Sequence, residues 1–429
     1  MKNISVLRRR TLAATALAVV VLLAMVLLSS CDMMSDDVQY AVVSENNLST
    51  DGFYYTLYEN RTAAITGYND TAACVLTIPE KVDSYKVVEI GEGAFIQNEN
   101  LRYVAISEGV RKISDNAFQR CKALVRVDLA TTVQSLGRSA FDSCYALTEV
   151  NGTSGLVSVG DAAFYQCRLL SGFTLPEGLK SIGKEAFFGC EAIVTLTLPE
   201  KLEFIGELAY ARCTRLSVVR LGGITAIPEG LFEKCIMLSD IVLPSAITSI
   251  GTRAFRGCET LRNLEIGKNV ASIGESVFDD TPFITECKEE FLIVGDGILI
   301  YYGGEASDVT IPAGVKTIGE AFYANERLQF VTIGADVKTI SAYAFGACPS
   351  LSRVTIEGSV ETIAENAFSN CDVLRFISLP KSLKTIGDNA FKGCVRLSSI
   401  EYAGSANAFS KITIGKGNDY FKSAEVSYR

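Results

Sequence analysis

The sequence of 429 residues contains no histidine. This absence excludes Ser-His-Asp and Cys-His nucleophile pairs, histidine zinc sites and the ordinary proton shuttle near neutral pH. No Walker loop is present either, because the glycine-rich strings GDG and YYGG lie at turns and not between a strand and a helix. The sequence therefore lacks the common constellations of catalytic and nucleotide-binding residues, and it predicts no enzyme, no metal site and no cofactor.

Positive charge is also scarce, with 40 Lys and Arg residues against 49 Asp and Glu residues. The first thirty residues carry four basic side chains and no acidic one. Removing them leaves 36 basic and 49 acidic residues, a net charge of −13. A protein with this balance is a poor ligand for a phosphate backbone, so the sequence predicts no nucleic-acid partner.

What the sequence has instead is one unit of about 23 residues, repeated thirteen times around an aromatic anchor. The anchors are Phe95, Phe118, Phe141, Phe164, Phe187, Tyr210, Phe232, Phe255, Phe278, Phe322, Phe345, Phe368 and Phe391. Successive anchors are 23 residues apart, except for one gap of 22 and one of 44. A fixed period of this length predicts a solenoid in which each coil stacks on its neighbours.

The pattern within the unit predicts the walls of each coil. An aliphatic residue precedes the anchor by about five positions, and aliphatics follow it at plus six, nine and eleven, as in Leu124, Val127 and Leu129. The alternation at the end of the unit predicts a short strand that pairs in parallel with its neighbours, about 4.8 Å away. Helix formers before the anchor predict a short helical turn opposite. The predicted fold is a repeat solenoid with a parallel strand ladder on one wall and short helical turns on the other.

The N-terminal residues have the character of an export signal. Lys2 and the run Arg8 to Arg10 precede an apolar stretch from Leu12 to Leu28, an order typical of secretory signals. Leu-Ser-Ser-Cys then resembles a bacterial lipoprotein processing site. The sequence predicts a lipoprotein signal peptide over 1–30, lipidation of Cys31 and a tether over 31–52. The alternative is an uncleaved anchor, because Thr11 to Ser30 has about the length that spans a bilayer.

Ten of the thirteen cysteines recur three residues after an anchor. They are Cys121, Cys144, Cys167, Cys190, Cys213, Cys235, Cys258, Cys348, Cys371 and Cys394. Neighbours in such a ladder have parallel side-chain vectors, which suit neither the dihedral angle of a disulfide nor a tetrahedral zinc site. The sequence therefore predicts buried free thiols that act as small hydrophobic residues.

Two predicted hairpins interrupt or precede the repeats. Residues 53–94 form a hairpin cap and the start of the first repeat, and repeats follow over 95–281. A second hairpin, with Asp296-Gly297 as its turn, lies in an insert over 282–321. The repeats resume over 322–401, and 402–429 forms a C-terminal cap. The insert either takes the place of one coil or separates two solenoid segments with a hinge at Thr281 to Glu290.

The unit GC-x2-L-x2-V-x-L-P followed by L-x2-I-G-x2-A-F resembles the BspA-like leucine-rich repeat proteins of host-associated bacteria. The resemblance covers about Phe53 to the C-terminus. It implies a leucine-rich-repeat-like fold and an exported, membrane-anchored protein at the outer membrane or cell surface. It also implies adhesion to protein or glycan partners on a host or on neighbouring bacteria. The tail departs from the family pattern, with Phe409 where a Trp is usual.

The candidate binding face consists of outward strand residues eight positions after an anchor. Phe330, Arg353 and Phe376 occupy this position in three consecutive repeats, and in-register pairing would place the arginine between two exposed aromatics. Earlier in the array the same position holds Tyr103, Arg126 and Glu149. The alternative interpretation is that these residues form cross-strand pairs that only stabilise an exposed sheet.

Three function classes remain open at this point. The first is a lipid-anchored binding protein whose strand wall holds a protein or glycan. The second is a carboxylate-based glycan hydrolase, which needs two carboxylates in a cleft, and the third is an envelope scaffold without an external ligand. The densest acidic cluster, Glu286, Glu289 and Glu290, is interpreted as a solvated loop.

Overall fold

The computed structural model describes residues 40–429. The predicted signal peptide over 1–30 and the predicted lipidation site Cys31 lie outside the described residues. The described chain forms a β-solenoid in which each repeat makes one coil with three sides. We call these the strand wall, the short-strand wall and the turn wall. Within residues 40–429, no helix combines the length and the apolar character needed to cross a membrane.

The N-terminal cap is a three-stranded antiparallel meander. It consists of β1 (Val42–Leu48), β2 (Phe53–Tyr58) and β3 (Thr62–Tyr68). Strand β3 then pairs in parallel with β6 (Tyr85–Ile90), so the cap extends the sheet of the solenoid and covers its first coil. The prediction of a tether over 31–52 is wrong from Val42 to Leu48. That strand is mostly exposed and shows no apolar alternation, so only its pairing with β2 reveals it.

The strand wall forms where the sequence predicts it, beginning eight residues after most anchors, although no strand follows Phe255 or Phe278 at this position. In the first part of the chain it comprises β4 (Val75–Ile78), β7 (Tyr103–Ile106), β9 (Arg126–Asp128), β11 (Glu149–Asn151), β13 (Gly172–Phe173), β15 (Thr195–Thr197), β17 (Val218–Arg220) and β19 (Asp240–Val242). After the insert it comprises β24 (Asp308–Thr310), β26 (Phe330–Ile333), β28 (Arg353–Ile356), β30 (Phe376–Leu379), β32 (Ser399–Tyr402) and β34 (Glu425–Tyr428). These strands form three sheets, β4 to β13, β15 to β19 and β24 to β34. Within each sheet neighbouring strands pair in parallel, with each residue opposite its counterpart in the next coil. The predicted ladder and its register are confirmed.

A second parallel ladder, which the sequence did not predict, forms the short-strand wall just before each anchor. It comprises β6, β8 (Lys112–Ile113), β10 (Ser135–Leu136), β12 (Ser158–Val159), β14 (Ser181–Ile182), β16 (Phe204–Ile205), β18 (Ala226–Ile227), β20 (Ser249–Ile250), β21 (Ser272–Ile273), β25 (Thr317–Ile318), β27 (Thr339–Ile340), β29 (Thr362–Ile363), β31 (Thr385–Ile386) and β33 (Thr413–Ile414). Strand β5 (Lys81–Val82) lies outside this ladder and pairs antiparallel with β6. Strands of two residues leave too little sequence for an alternation to show. The glycine that follows them permits close stacking, because a side chain at Gly183 would collide with the backbone of Asp161.

The turn wall carries the anchors, whose rings stack inside the solenoid. Phe118 and Phe141 are parallel, with ring centroids 5.3 Å apart, and their side chains are fully buried. The wall consists of consecutive turns and not of regular helix. Asn116 and Arg120, two residues on either side of Phe118, have positive φ. Their amides donate to carbonyls of the next coil, at 2.8 and 2.7 Å. Because these bonds run between coils, the turns never close a helical ladder of their own.

The insert takes the place of one coil. After the single-turn helix α1 (Pro282–Thr285), strands β22 (Phe291–Val294) and β23 (Ile298–Tyr302) form an antiparallel hairpin. Strand β23 pairs in parallel with β25, and the ring of Tyr302 lies 4.8 Å from that of Phe322. The hairpin thus supplies both a strand and an anchor ring to the stack. At the other side of the hairpin, the Asp296 amide donates to the Val270 carbonyl at 2.8 Å.

Residues 403–429 form one further, irregular coil at the C-terminal side of the array. They contain α2 (Ala406–Phe409) and α3 (Asp419–Ser423), while β33 and β34 extend the two ladders. Phe421 lies 4.7 Å from Phe391 and ends the stack of anchor rings. Phe409 is half-buried and packs edge-on against Tyr402, at 5.3 Å.

Candidate functional site

The strand wall after the insert presents a row of three large side chains. Its inward residues, such as Val354 and Ile377, are fully buried, so the alternation of a strand turns Arg353 and its counterparts outward. Phe330 is opposite Arg353, and Arg353 is opposite Phe376. We call these three residues the second row. The sequence placed them correctly, because in a parallel ladder equal positions in the repeat become neighbours in space.

Within the second row, the arginine contacts only one of the two rings. The guanidinium carbon of Arg353 lies 4.3 Å from the ring centroid of Phe376, a close cation–π contact. Phe330 is 39% exposed, whereas Phe376 is half-buried beneath the guanidinium. The expectation that two exposed rings flank the arginine is therefore corrected. The side chain of Arg353 leans toward Phe376 and leaves Phe330 open.

The strand wall before the insert carries the other predicted set, Tyr103, Arg126 and Glu149, which we call the first row. The three residues are also opposite one another in consecutive coils, and Arg126 lies 5.7 Å from the Tyr103 ring centroid. Arg126 makes two further contacts with Asp128. Its Nε and Nη2 donate to the two carboxylate oxygens, at 2.9 and 3.0 Å.

Asp128 is the centre of a closed network. Besides the two bonds from Arg126, it accepts hydrogen bonds from the Tyr103 hydroxyl at 2.6 Å and from the Asn151 amide at 2.9 Å. The bonds from Arg126, followed by those from Tyr103 and Asn151, lower the pKa of Asp128 to about 2. Sequence reasoning missed this residue. The sequence nevertheless contained the necessary information. Residues two apart in a strand lie on the same face, so Arg126 and Asp128 are expected to lie side by side.

A surface cleft of about 600 Å³ lies beside the insert. Glu275, Asp279 and Glu320 line it together with the rings of Tyr323 and Tyr343. Burial, followed by the neighbouring charges of Asp279 and Glu275, raises the pKa of Glu320 to about 7, against the opposing effect of a hydrogen bond from the Ser276 amide. The pKa of Glu275 is also raised, first by burial.

A missing residue explains the position of Glu320. In the other coils the aliphatic residue that ends the short strand lies five positions before the anchor, but Ile318 lies only four positions before Phe322. Gly319 is therefore followed by Glu320 alone before Ala321 and Phe322. In regular coils the amide two residues before the anchor donates to a backbone carbonyl of the next coil, as Arg253 does to Glu275 at 2.8 Å. At the insert, the Ser276 amide donates to the Glu320 carboxylate instead, at 2.6 Å. The carboxylate replaces the backbone carbonyl that the shortened coil does not offer.

The acidic cluster noted in the sequence does not belong to this cleft. Glu286 is exposed and pairs with Arg262 at 3.2 Å, and Glu289 and Glu290 are exposed. Their interpretation as a solvated loop agrees with these positions. Glu275 and Glu320 were missed because they are 45 residues apart in sequence, and only the coil shortened at Gly319 could have drawn attention to the junction.

Comparison with known families supports the reading of the repeats. The family description "BspA type Leucine rich repeat region" matches residues 76–171, 157–285 and 299–415. The chain belongs to this family of leucine-rich repeat proteins. The third matched segment begins at residue 299, within β23, so the BspA type repeats account for the solenoid before the insert and from β23 onward.

Several solved structures are similar to this BspA type chain. A leucine-rich repeat protein from Bacteroides ovatus is 24% identical, with 89% of this chain and 100% of that chain covered and a TM-score of 0.47. A leucine rich cell surface protein from Faecalibacterium prausnitzii is 24% identical over 87% and 97% of the two chains, with a TM-score of 0.39. The Leucine Rich Repeat protein of T. pallidum is 27% identical over 55% and 88%, with a TM-score of 0.38. No curated protein matches this chain in sequence.

The cysteines of these BspA type repeats have a structural role beyond hydrophobic filling. All ten ladder thiols are buried and free, as predicted. Each also donates to the carbonyl of the preceding anchor, as Cys144 does to Phe118 at 3.1 Å and Cys371 to Phe345 at 3.0 Å. Burial raises the pKa of Cys121 to about 12 and that of Cys144 well above its usual range. These two thiols therefore stay protonated, and a protonated thiol is a weak donor to a buried carbonyl.

Proposed function

We propose that this chain is a non-enzymatic binding protein of the bacterial surface, and that the second row holds a protein or glycan partner. The observation that carries the proposal is the geometry of Arg353. Its guanidinium lies 4.3 Å from the Phe376 ring, and the exposed Phe330 lies on the neighbouring strand. The inward residues of the same strands, such as Val354 and Ile377, are buried in the core. Arginine and aromatic residues that lie together on an exposed surface are the typical composition of binding hot spots.

A double substitution tests this proposal. Arg353→Ala with Phe376→Ala removes the cation and its ring but no inward side chain, so the fold should be retained. Binding to surfaces coated with host matrix proteins or with neighbouring bacteria should weaken at least about fivefold, as loss of a hot spot of about 1 kcal/mol requires. The matched control is Tyr103→Ala with Arg126→Ala in the first row, which should bind like the parent.

The contrary outcomes separate the remaining alternatives. Equal binding by the parent and the Arg353→Ala/Phe376→Ala variant would place the site elsewhere. Absence of binding by the parent to any tested surface would favour an envelope scaffold.

Membrane attachment through Cys31 is part of the same proposal. A lipid on the first residue of the processed chain would hold the solenoid at the membrane, from which its strand wall could reach a partner outside. Cys31→Ser should leave the precursor unprocessed or release the protein from the membrane fraction. Lipid labelling that persists in this variant would contradict the anchor.

A glycan hydrolase is the second candidate, because one cleft contains a pair of carboxylates. Glu320, with its pKa near 7, has the property of a general acid, and Glu275 lines the same cleft. The hydrogen bond from Ser276 already gives Glu320 a structural role, which is why binding remains the leading proposal. Glu320→Gln retains an acceptor for that bond. Release of reducing ends from bacterial or host glycans by the parent, abolished in Glu320→Gln, would establish the hydrolase and overturn the first proposal.

A further inference from the structure

We infer that the second row binds a carboxylate of a protein partner, with Arg353 as the donor. This inference rests on the proposed binding function and names the chemistry of its partner. It follows from a difference between the two rows that concerns one position, the outward residue two places after the arginine. That residue is Asp128 in the first row and Thr355 in the second.

The outward arginines of the strand wall differ in what their donors contact. Arg126 bonds both oxygens of Asp128, and Arg220 bonds both oxygens of Asp240 at 3.0 and 2.7 Å. Arg353 is the third arginine at such a position. Within residues 40–429, its side chain makes no ion pair and no hydrogen bond, and its recorded contact is the ring of Phe376. The N–H donors of Arg353 are therefore free, whereas Arg126 and Arg220 are each paired with an aspartate.

The free donors of Arg353 are held in a defined orientation. A guanidinium is planar and carries its five N–H groups around its edge, so a ring under one face leaves the edge available. The cation–π contact with Phe376 limits the rotation of the side chain before any ligand arrives, which lowers the entropic cost of binding. A carboxylate is the group that matches this edge with two parallel hydrogen bonds. In the first row, the side chain of Asp128 already occupies the equivalent place.

The surroundings of Arg353 favour a protein carboxylate over an acidic sugar. Sugars pack on open aromatic faces, but the guanidinium covers a face of Phe376. Phe330, on the other side, offers apolar surface in the same row, and the hydroxyl groups of Thr332 and Thr355 line the wall next to it. An Asp or Glu with an apolar neighbour on a partner protein would satisfy both parts of the row.

The test uses the full chain and two labelled peptides of twelve residues, measured by fluorescence anisotropy. The peptides carry a central glutamate or a central glutamine between leucines and are otherwise identical. We expect the glutamate peptide to bind at least tenfold more tightly. Thr355→Asp should abolish this preference, because it supplies Arg353 with the internal partner that Arg126 has. Thr310→Asp, an added charge at the same outward position two strands away, should retain the preference.

A reciprocal variant keeps the test independent of any damage at the second row. Asp128→Thr removes the internal partner of Arg126, so in a chain that also carries Arg353→Ala it should restore binding of the glutamate peptide, at a weaker site on Arg126. Arg353→Lys retains the positive charge but lacks the two parallel N–H donors of a guanidinium. It should reduce the preference for the glutamate peptide over the glutamine peptide at least threefold. Circular dichroism spectra equal to that of the parent would show that each variant is folded.

The possible results separate this inference from the proposed function. If the parent bound both peptides equally and Phe330→Ala/Phe376→Ala bound neither, the second row would still be a binding face. The inference that it binds a carboxylate would then be wrong. Absence of binding by either peptide, with Arg353-dependent binding of polygalacturonate, would replace the protein partner by an acidic glycan. Equal effects of Thr355→Asp and Thr310→Asp would show that net charge, and not the donors of Arg353, controls binding.

Discussion

Arg126 and Arg353 occupy the same position of the repeat, yet one belongs to a closed network and the other does not. Both point outward from the strand wall, and both lie over an aromatic ring of a neighbouring strand. Arg126 is also bonded to Asp128, which collects four hydrogen bonds, whereas Arg353 has Thr355 in that place. The comparison shows that a shared position in the repeat does not imply a shared role. A single neighbour decides whether an arginine stabilises the sheet or remains available to a partner.

The cores behind the two rows are nearly the same. Phe141 lies 5.3 Å from each neighbouring anchor, and Phe368 lies 5.1 and 5.3 Å from its neighbours. The anchors and the inward strand residues are buried in both parts of the solenoid. The outward residues can therefore change without affecting the core. This separation lets one fold carry a row whose arginine is paired with Asp128 and a row whose arginine has free donors.

The largest expected effect tests whether the two cores are equivalent. Phe141→Ala and Phe368→Ala each remove a buried ring from the middle of a stack, so each should cost about 3–5 kcal/mol in the free energy of unfolding. Chemical denaturation followed by circular dichroism would measure both. If only one of the two were costly, the cores would differ as much as the surfaces do.

A smaller effect is expected for the thiols behind the two rows. Cys144→Ala and Cys371→Ala each leave an anchor carbonyl without its donor, so each should cost about 1–2 kcal/mol. In the parent, the ten ladder thiols should resist alkylation when folded and all react after denaturation without reductant. Mass spectrometry that detected disulfides between neighbouring coils would contradict the ladder of free thiols.

The hydrogen bonds around Asp128 should contribute less to the free energy of unfolding than the buried thiols do. Asp128→Ala removes the acceptor of bonds from Arg126, Tyr103 and Asn151, which are partly exposed, so we expect a loss of about 1 kcal/mol. Thr355→Ala, the matched change in the second row, should stay within about 0.5 kcal/mol. Equal losses in the free energy of unfolding of Asp128→Ala and Thr355→Ala would contradict the proposed difference between the two rows.

The junction between the two parts should respond to pH. The folded chain holds a proton on Glu320 up to about pH 7, whereas the unfolded chain releases it near the ordinary value of 4.5. The free energy of unfolding should therefore increase as pH falls from 8 to 5, and this contribution should be lost as pH rises through 7. Glu320→Gln keeps the acceptor for Ser276 but cannot titrate, so its stability should vary less over this range. Parallel pH profiles of parent and variant would refute the assignment.

The period of the anchors was sufficient to predict much of the architecture. A stack of coils brings equal positions of the repeat together, so the parallel register of Phe330, Arg353 and Phe376 followed from counting residues. The buried free cysteines followed in the same way. The short-strand wall did not, because two-residue strands such as Lys112–Ile113 show no alternation and exist only through their pairing with the next coil.

By itself, the sequence determined the solenoid, its buried ring stack and the order of residues along the strand wall, because a repeat of fixed length has one way to bury its anchors. Only the tertiary structure decided which outward residues are neutralised and where the surface becomes concave. The bond between Ser276 and Glu320 joins residues 44 positions apart, across the hairpin that replaces a coil. Contacts of this kind depend on how an irregular coil meets a regular one, and the periodicity that predicts regular coils carries no information about them.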